Sequence, residues 1–112
     1  MVDDDEAVRT LVAGYLCVLG FDVRAAGDGI EALRVMDEDT FDLVVTDHEM
    51  PRLTGVELIR VLRATCPQTS TILMTGTPME PGTHGASAQL RKPFSLEELR
   101  EAMPIAPAWG AV

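Results

Sequence analysis

Residues 41–47, Phe-Asp-Leu-Val-Val-Thr-Asp, constrain this chain more than any other segment. The apolar residues run almost without a break and stop at a carboxylate. A strand with one wet face alternates apolar and polar residues, whereas a near-continuous apolar run suits a strand covered on both faces, as in a parallel sheet. The neighbouring segments fit that architecture. Thr71–Thr75 (TILMT) reads as a second such strand, Phe21–Ala25 as a short one and Ser87–Arg91 as a weaker one. Helical patterns alternate with them. Val8, Leu11, Val12, Tyr15, Leu16 and Leu19 follow the i, i+3, i+4, i+7 rhythm of an amphipathic helix closed by Gly20. Asp28 and Glu31 form a capping box before Ile30, Leu33 and Met36, and Ser95 and Glu98 form another before Leu96, Leu99 and Met103. Between a His48–Gly55 loop and Cys66-Pro67 lies a helix carrying Val56, Ile59 and Leu62. Strands alternating with helices predict an α/β fold with a mainly parallel sheet and right-handed crossovers. Residues 76–85 are too rich in Pro and Gly for a long regular helix. A length of 112 residues fits one domain, read as 1–104, with an unassigned tail at 105–112 ending the chain.

Charge narrows the function classes. The chain holds 18 acidic and 9 basic residues, a formal net charge of −9. Residues 1–50 carry 13 of the acids against 3 bases, and residues 51–112 carry 5 against 6. No cluster of Lys and Arg suits a nucleic-acid surface. No apolar run reaches the ~20 residues of a membrane span, and no secretory signal opens the sequence. Cys17 and Cys66, each within an apolar helical pattern, read as reduced core residues of a cytoplasmic protein.

In open parallel sheets the working crevice lies beyond the carboxyl ends of the strands. Asp3-Asp4, Asp47, Thr75 and Lys92 all fall at such ends. Singly, each is an ordinary polar residue where a strand meets a loop. Together they make a constellation. Three carboxylates drawn together repel one another and raise their pKa values unless a cation sits among them. A hard divalent ion with oxygen ligands answers that need, and Mg²⁺ is the natural candidate because it keeps several waters and takes few carboxylates.

Four segments, VDDDEAVR, DLVVTDHEMPRLTG, ILMTG and RKPFSLEEL, resemble the receiver domain of two-component response regulators, and the resemblance spans almost the whole chain. The acidic doublet with D-x-x-M-P-x-x-x-G is its specific part. It implies a flavodoxin-like (CheY-like), doubly wound parallel sheet in order 2-1-3-4-5. It implies that Asp47 takes a phosphoryl group from the phosphohistidine of a histidine kinase or histidine phosphotransfer protein. Asp3, Asp4, Asp47 and the main-chain carbonyl of Glu49 would then hold Mg²⁺. Lys92 and Thr75 would contact phosphoryl oxygens, while Glu49 and Thr77 would tune the lifetime of the modified state. Such a transfer needs positioning and electrostatics, with Asp47 as nucleophile, so no independent enzyme is expected.

Three departures from the family pattern stand out. Only Met1 and Val2 precede the acidic pair, where about five apolar residues are usual. A central strand so shortened would leave backbone open on two neighbours, so the expectation is a longer polypeptide, or pairing with a second copy or a partner strand. The segment between Thr75 and Lys92 leaves the fourth helix short or absent, and Gln89 stands three before Lys92 where many receivers carry an aromatic switch. The last two features, with EPG and LRKPFSLEEL, resemble receivers attached to the C-terminus of hybrid histidine kinases, with a short stand-alone regulator as the other reading. No DNA-binding segment follows, so direct transcriptional output is not expected. Competing functions are a phosphorylation-independent module with the same fold, and a haloacid-dehalogenase-like phosphatase. The second wants an Asp where Glu49 stands and a larger chain. His48 is expected to point away from the chemistry, His84 to be exposed, and Met50, Met74 and Met79 to pack.

Overall fold

Leu43–Asp47 forms β1, with side chains alternating between two apolar layers. Val45 joins Val12, Leu16, Ile72, Met74, Leu90 and Leu99 on one side. Val44 joins Val2, Ala26, Ala32, Met50, Leu58 and Leu62 on the other. Coverage on both faces is what the unbroken apolar run anticipates. The computed structural model describes residues 1–80 and 82–103. The elements in chain order are α1 (Glu6–Val18), α2 (Gly29–Glu38), β1, α3 (Gly55–Thr65), β2 (Ser70–Thr75), β3 (Ala88–Arg91) and α4 (Leu96–Glu101). The tail at 105–112 lies outside the described residues, as does Pro104, whose residue type predicts the end of the last helix.

β1, β2 and β3 form a parallel sheet in that order, with Leu43 opposite Ser70 and Ile72 opposite Ala88. The expected order 2-1-3-4-5 is present in reduced form. Val2 makes parallel bridges to Ala26 on one side and Thr46 on the other. Val2 N–H donates to the Val45 carbonyl at 2.8 Å, and Asp47 N–H donates back to Val2 at 2.9 Å. Asp3 N–H reaches the Ala26 carbonyl at 3.1 Å, and Ala26 N–H the Met1 carbonyl at 2.9 Å. This short segment therefore pairs on both edges, and the open backbone expected beside the acidic pair is closed there. Further down, Phe21–Ala25 does not form the regular strand expected; the Met1 ammonium donates to the Arg24 carbonyl at 2.9 Å there. A cleft of about 290 Å³ opens there, lined by residues that include Phe21, Arg24, Phe41 and Leu43.

Local chemistry sets the helix starts. Asp5 Oδ1 accepts from Ala7 and Val8 N–H and caps α1. Asp28 caps α2 through Glu31 N–H at 2.8 Å, but the expected reciprocal box is absent, since Glu31 reaches one residue further, to Gly27 N–H at 2.9 Å. Ser95 and Glu98 make the complete box, and so do Thr54 and Glu57 at α3. Between residues 76 and 87 no helix forms among the described residues. Gly55, which opens α3, has no room for a side chain: a Cβ would stand 2.4 Å from the Asp47 carbonyl. That contact explains the glycine of D-x-x-M-P-x-x-x-G.

Several side chains depart from expectation, among them Leu11 and Ile30, which are exposed although both fit the apolar helical pattern. Cys17 is exposed, because it lies off the α1 face formed by Val8, Val12, Tyr15, Leu16 and Leu19; Cys66 is half-buried against the α3 layer. His84 is buried, its Nδ1 accepting from Ala86 N–H at 2.9 Å, so the imidazole folds the Pro/Gly segment onto itself instead of facing solvent. Met50 and Met74 are buried and Met79 packs on Val56, Ile59 and Leu73, as expected.

Candidate functional site

The carboxyl ends of the strands bring the sequence-selected residues to one rim. Asp47 ends β1 and is 2 % exposed. Asp3, held by its pairing with Ala26, is fully buried beside it, and Asp4 follows at the surface. Carboxylate oxygens of Asp3, Asp4 and Asp47 all lie within 4.8 Å of one another. Asp3 Oδ1 accepts from Asp5 N–H at 2.9 Å, while Arg9 donates to the Asp3 carbonyl. Asp3 Oδ2 is buried with no hydrogen-bond partner, alone in this among the described side chains. A buried carboxylate oxygen left unpaired is costly, and three oxygens converging there fit a hard cation.

Lys92, just past β3, donates from Nζ to Asp47 Oδ1 at 2.7 Å. Thr75 ends β2, fully buried, and its hydroxyl donates to Glu49 Oε1 at 2.7 Å. Gly76 N–H reaches the same oxygen at 3.3 Å, and Lys92 Nζ stands 3.9 Å from Glu49 Oε2. The Glu49 side chain therefore reaches Thr75 with one oxygen while it stays in contact with Asp47. Thr77 is exposed, and only its main chain meets the site: its N–H donates to Thr75 Oγ1 at 3.1 Å. His48 continues the ladder, its N–H on the Met74 carbonyl, and its ring faces Val56 N–H rather than the carboxylates.

The electrostatics follow from burial and charge. Burial pushes Asp3 upward, and it pushes Asp47 up to about 6 against the pull of Lys92. For Glu49, burial acts upward, but hydrogen bonds from Thr75 and Gly76 and its contact with Asp47 bring it down to about 2. Burial alone would lower Lys92; the carboxylates of Asp47, Asp3 and Glu49 more than offset it, and the ammonium is held above its ordinary value. The rim is thus a buried carboxylate already facing one cation, with an oxygen-lined gap for another.

Sequence reasoning names Asp3, Asp4, Asp47, Glu49, Thr75, Thr77 and Lys92, but not Arg9 or Gly76 and not all of the wiring. It does not anticipate the Glu49–Thr75 bond, nor the engagement of Gln89, whose amide accepts from Met79 N–H at 2.8 Å and donates to the Met79 carbonyl at 3.1 Å. Neither pairing has a spacing signature, since the partners sit in separate loops and strands.

Comparison with known proteins places the arrangement. The response regulator receiver domain family matches residues 1–104. Response regulator MprA of Mycobacterium leprae is 41 % identical over 103 residues, covering 88 % of this chain and 45 % of that protein. The chain thus spans about half the length of the curated relatives it matches. The chemotaxis response regulator CheY4 of Vibrio cholerae superposes with a TM-score of 0.80 at 31 % identity, over 89 % of each chain. The Thermotoga maritima response regulator TrrA, solved in complex with Mg²⁺–BeF, superposes with a TM-score of 0.81 at 30 % identity, over 89 % of this chain and 90 % of that one. No helix of the described residues is long and apolar enough to cross a membrane. With sequence family and fold in agreement, the chain belongs to the response regulator receiver domains.

Proposed function

We propose that Asp47 is the phosphoacceptor of this receiver and that its phosphoryl donor is the phosphohistidine of a histidine kinase or histidine phosphotransfer protein. The observation that carries this reading is the pairing of a buried strand-end carboxylate with Lys92 at 2.7 Å, beside the unpartnered Asp3 oxygen. Asp3, Asp4 and Asp47, with the main-chain carbonyl of Glu49, are the residues that would hold Mg²⁺. When bound, Mg²⁺ supplies positive charge that offsets repulsion between the carboxylates and an incoming phosphoryl group. Asp47 attacks phosphorus with one carboxylate oxygen, and the donor nitrogen leaves with the bond's electron pair. Lys92 stays at the acceptor and neutralises a phosphoryl oxygen as a point charge. The Thr75 hydroxyl and Gly76 N–H donate to the far side of the transferred group, and the apolar layers beneath Asp47 keep water from its back. No residue is needed as general base, because a carboxylate is already deprotonated when it reacts.

The curated relatives that match this chain, MprA among them, are response regulators by name. A stand-alone or multidomain regulator is therefore the favoured setting. The experiment is phosphorylation by acetyl phosphate with Mg²⁺, read by intact mass. The wild type gains one phosphoryl group and Asp47→Asn gains none. Labelling of Asp47→Asn at the wild-type rate would overturn the assignment, and steady release of phosphate from unrelated phosphomonoesters would favour a phosphatase.

A further inference from the structure

Arg9 follows four consecutive acids, Asp3 to Glu6, and its side chain pairs with none of them. Nη1 donates to the main-chain carbonyl of Asp3 at 2.9 Å. Among the described residues the guanidinium makes no ion pair. It reaches back six residues because long helical side chains lean toward the helix start, and Arg9 lies in the first turn of α1. Half-buried there, it also rests against Gly27, where a Cβ would stand 3.4 Å from Nη1. A guanidinium in such surroundings ordinarily takes a carboxylate. This one holds a peptide.

The peptide in question joins Asp3 to Asp4. Asp3 has other supports: its N–H is on the Ala26 carbonyl at 3.1 Å, and its Oδ1 accepts from Asp5 N–H at 2.9 Å. Asp4 is exposed, and its carboxylate has no hydrogen bond or ion pair among the described residues. Yet a carboxylate oxygen of Asp4 lies within 4.8 Å of those of Asp3 and Asp47. We propose that Arg9 is the positioning residue for Asp4. By holding the Asp3 carbonyl it fixes the planar Asp3–Asp4 peptide, and with it the direction in which the Asp4 carboxylate leaves the chain. The proposal rests on the phosphoacceptor reading and deepens it, because it names what aims the rim at Mg²⁺. Positioning and charge make opposite demands here. As a bare positive charge, Arg9 repels a divalent cation, and its removal would tighten binding. As a clamp, its removal frees the peptide, and a metal must then order Asp4 before using it.

The test is the Mg²⁺ affinity of the chain, titrated without a phosphoryl donor and followed by backbone NMR shifts, for wild type, Arg9→Met and Arg9→Lys. Arg9→Met keeps the apolar stem and should bind Mg²⁺ about tenfold more weakly, the usual cost of losing an outer support of a metal ligand. Arg9→Lys keeps the charge but not the planar fork, and should bind about threefold more weakly. In an Asp4→Asn background Arg9→Met should lose less than about twofold, because the carboxylate it aims is gone. Labelling of Arg9→Met by acetyl phosphate should be slow at limiting Mg²⁺ and return to the wild-type rate at saturating Mg²⁺. Metal-free melting curves report whether each variant is folded. Unchanged or tighter Mg²⁺ binding by folded Arg9→Met, a loss undiminished in Asp4→Asn, or slow labelling at saturating Mg²⁺ overturns the positioning role and leaves the phosphoacceptor reading intact. If Arg9→Met does not fold, wild-type affinity in Arg9→Lys overturns it equally. A wild type that neither binds Mg²⁺ nor takes a phosphoryl group removes the phosphoacceptor reading, and the positioning role with it.

Discussion

The two ends of this sheet are built to different standards. At the carboxyl end, Met1–Asp3 are paired on both edges, and Asp3, Thr46, Asp47 and Thr75 are buried to within 2 %. At the amino end, residues 21–25, which form no regular strand, and the start of β1 flank a cleft of about 290 Å³. Two parallel neighbours clamp Met1–Asp3 with four main-chain bonds, and that pairing fixes a carboxylate beside Asp47. Stability is carried on the other side, where β1, β2 and β3 run in continuous register under buried Leu58, Ile59, Leu62, Ile72, Leu73 and Met74.

The comparison can be broken in several places. The largest effect belongs to the rim. Asp3→Asn keeps the shape but removes the charge of the unpartnered oxygen, so Mg²⁺ affinity by titration should fall at least about tenfold. Its metal-free melting temperature should not fall, because a buried unpaired carboxylate is itself destabilising. Next come the two halves of the core. Leu73→Ala, at a fully buried position, should cost ~2–5 kcal/mol in denaturant unfolding. Val23→Ala, half-buried in the segment that borders the cleft, should cost about 1 kcal/mol or less. Similar losses at both sites would erase the distinction. Lengthening the chain then addresses the cleft directly: four or five apolar residues placed before Met1 should extend the ladder and raise the melting temperature by roughly 10 °C. An unchanged or lower value would show that the cleft is already satisfied.

The smallest effect is the dependence of metal-free stability on pH. Asp47 titrates at about 6 when folded against 3.8 ordinarily, and Asp3 is raised as well. Between those values the native state holds protons that the unfolded chain has lost, so stability rises as pH falls from 6 toward 4.5. Below that, Glu49, held down to about 2, acts in the opposite sense. Above 6, the buried Met1 amine, lowered to about 6, adds stability as pH rises. Chemical denaturation from pH 4.5 to 6 should therefore show a downward slope with rising pH in the wild type and a shallower one in Asp47→Asn.

What is legible in the sequence follows from range. Leu43–Asp47 and Ser70–Thr75 are readable because burial on both faces leaves an unbroken apolar run. The rim is readable because each member ends such a run. Phe21–Ala25 has the composition of a strand, but a ladder needs a neighbour, and propensity does not report one. The Thr54–Glu57 box is spelled T-x-x-E, yet the proline-containing loop before it hides the helix start. The burial of His84 escapes a sequence reading because it depends on one contact to Ala86, made after the segment has curled. The exposure of Cys17 escapes it because apolar neighbours in sequence share a helix but not a face.

The grip of Gln89 on Met79 has a mechanical consequence. An amide that accepts from one N–H and donates to the adjoining carbonyl does the work of a strand neighbour. It fastens the stretch after Thr75 to β3 at a point three residues before Lys92. Lys92 and Met79 are therefore two marks on one ruler, and the ruler is β3. Met79 packs on Val56, Ile59 and Leu73, so the stretch leaving Thr75 and the strand leading to Lys92 are pinned to one layer formed by α3 and β2.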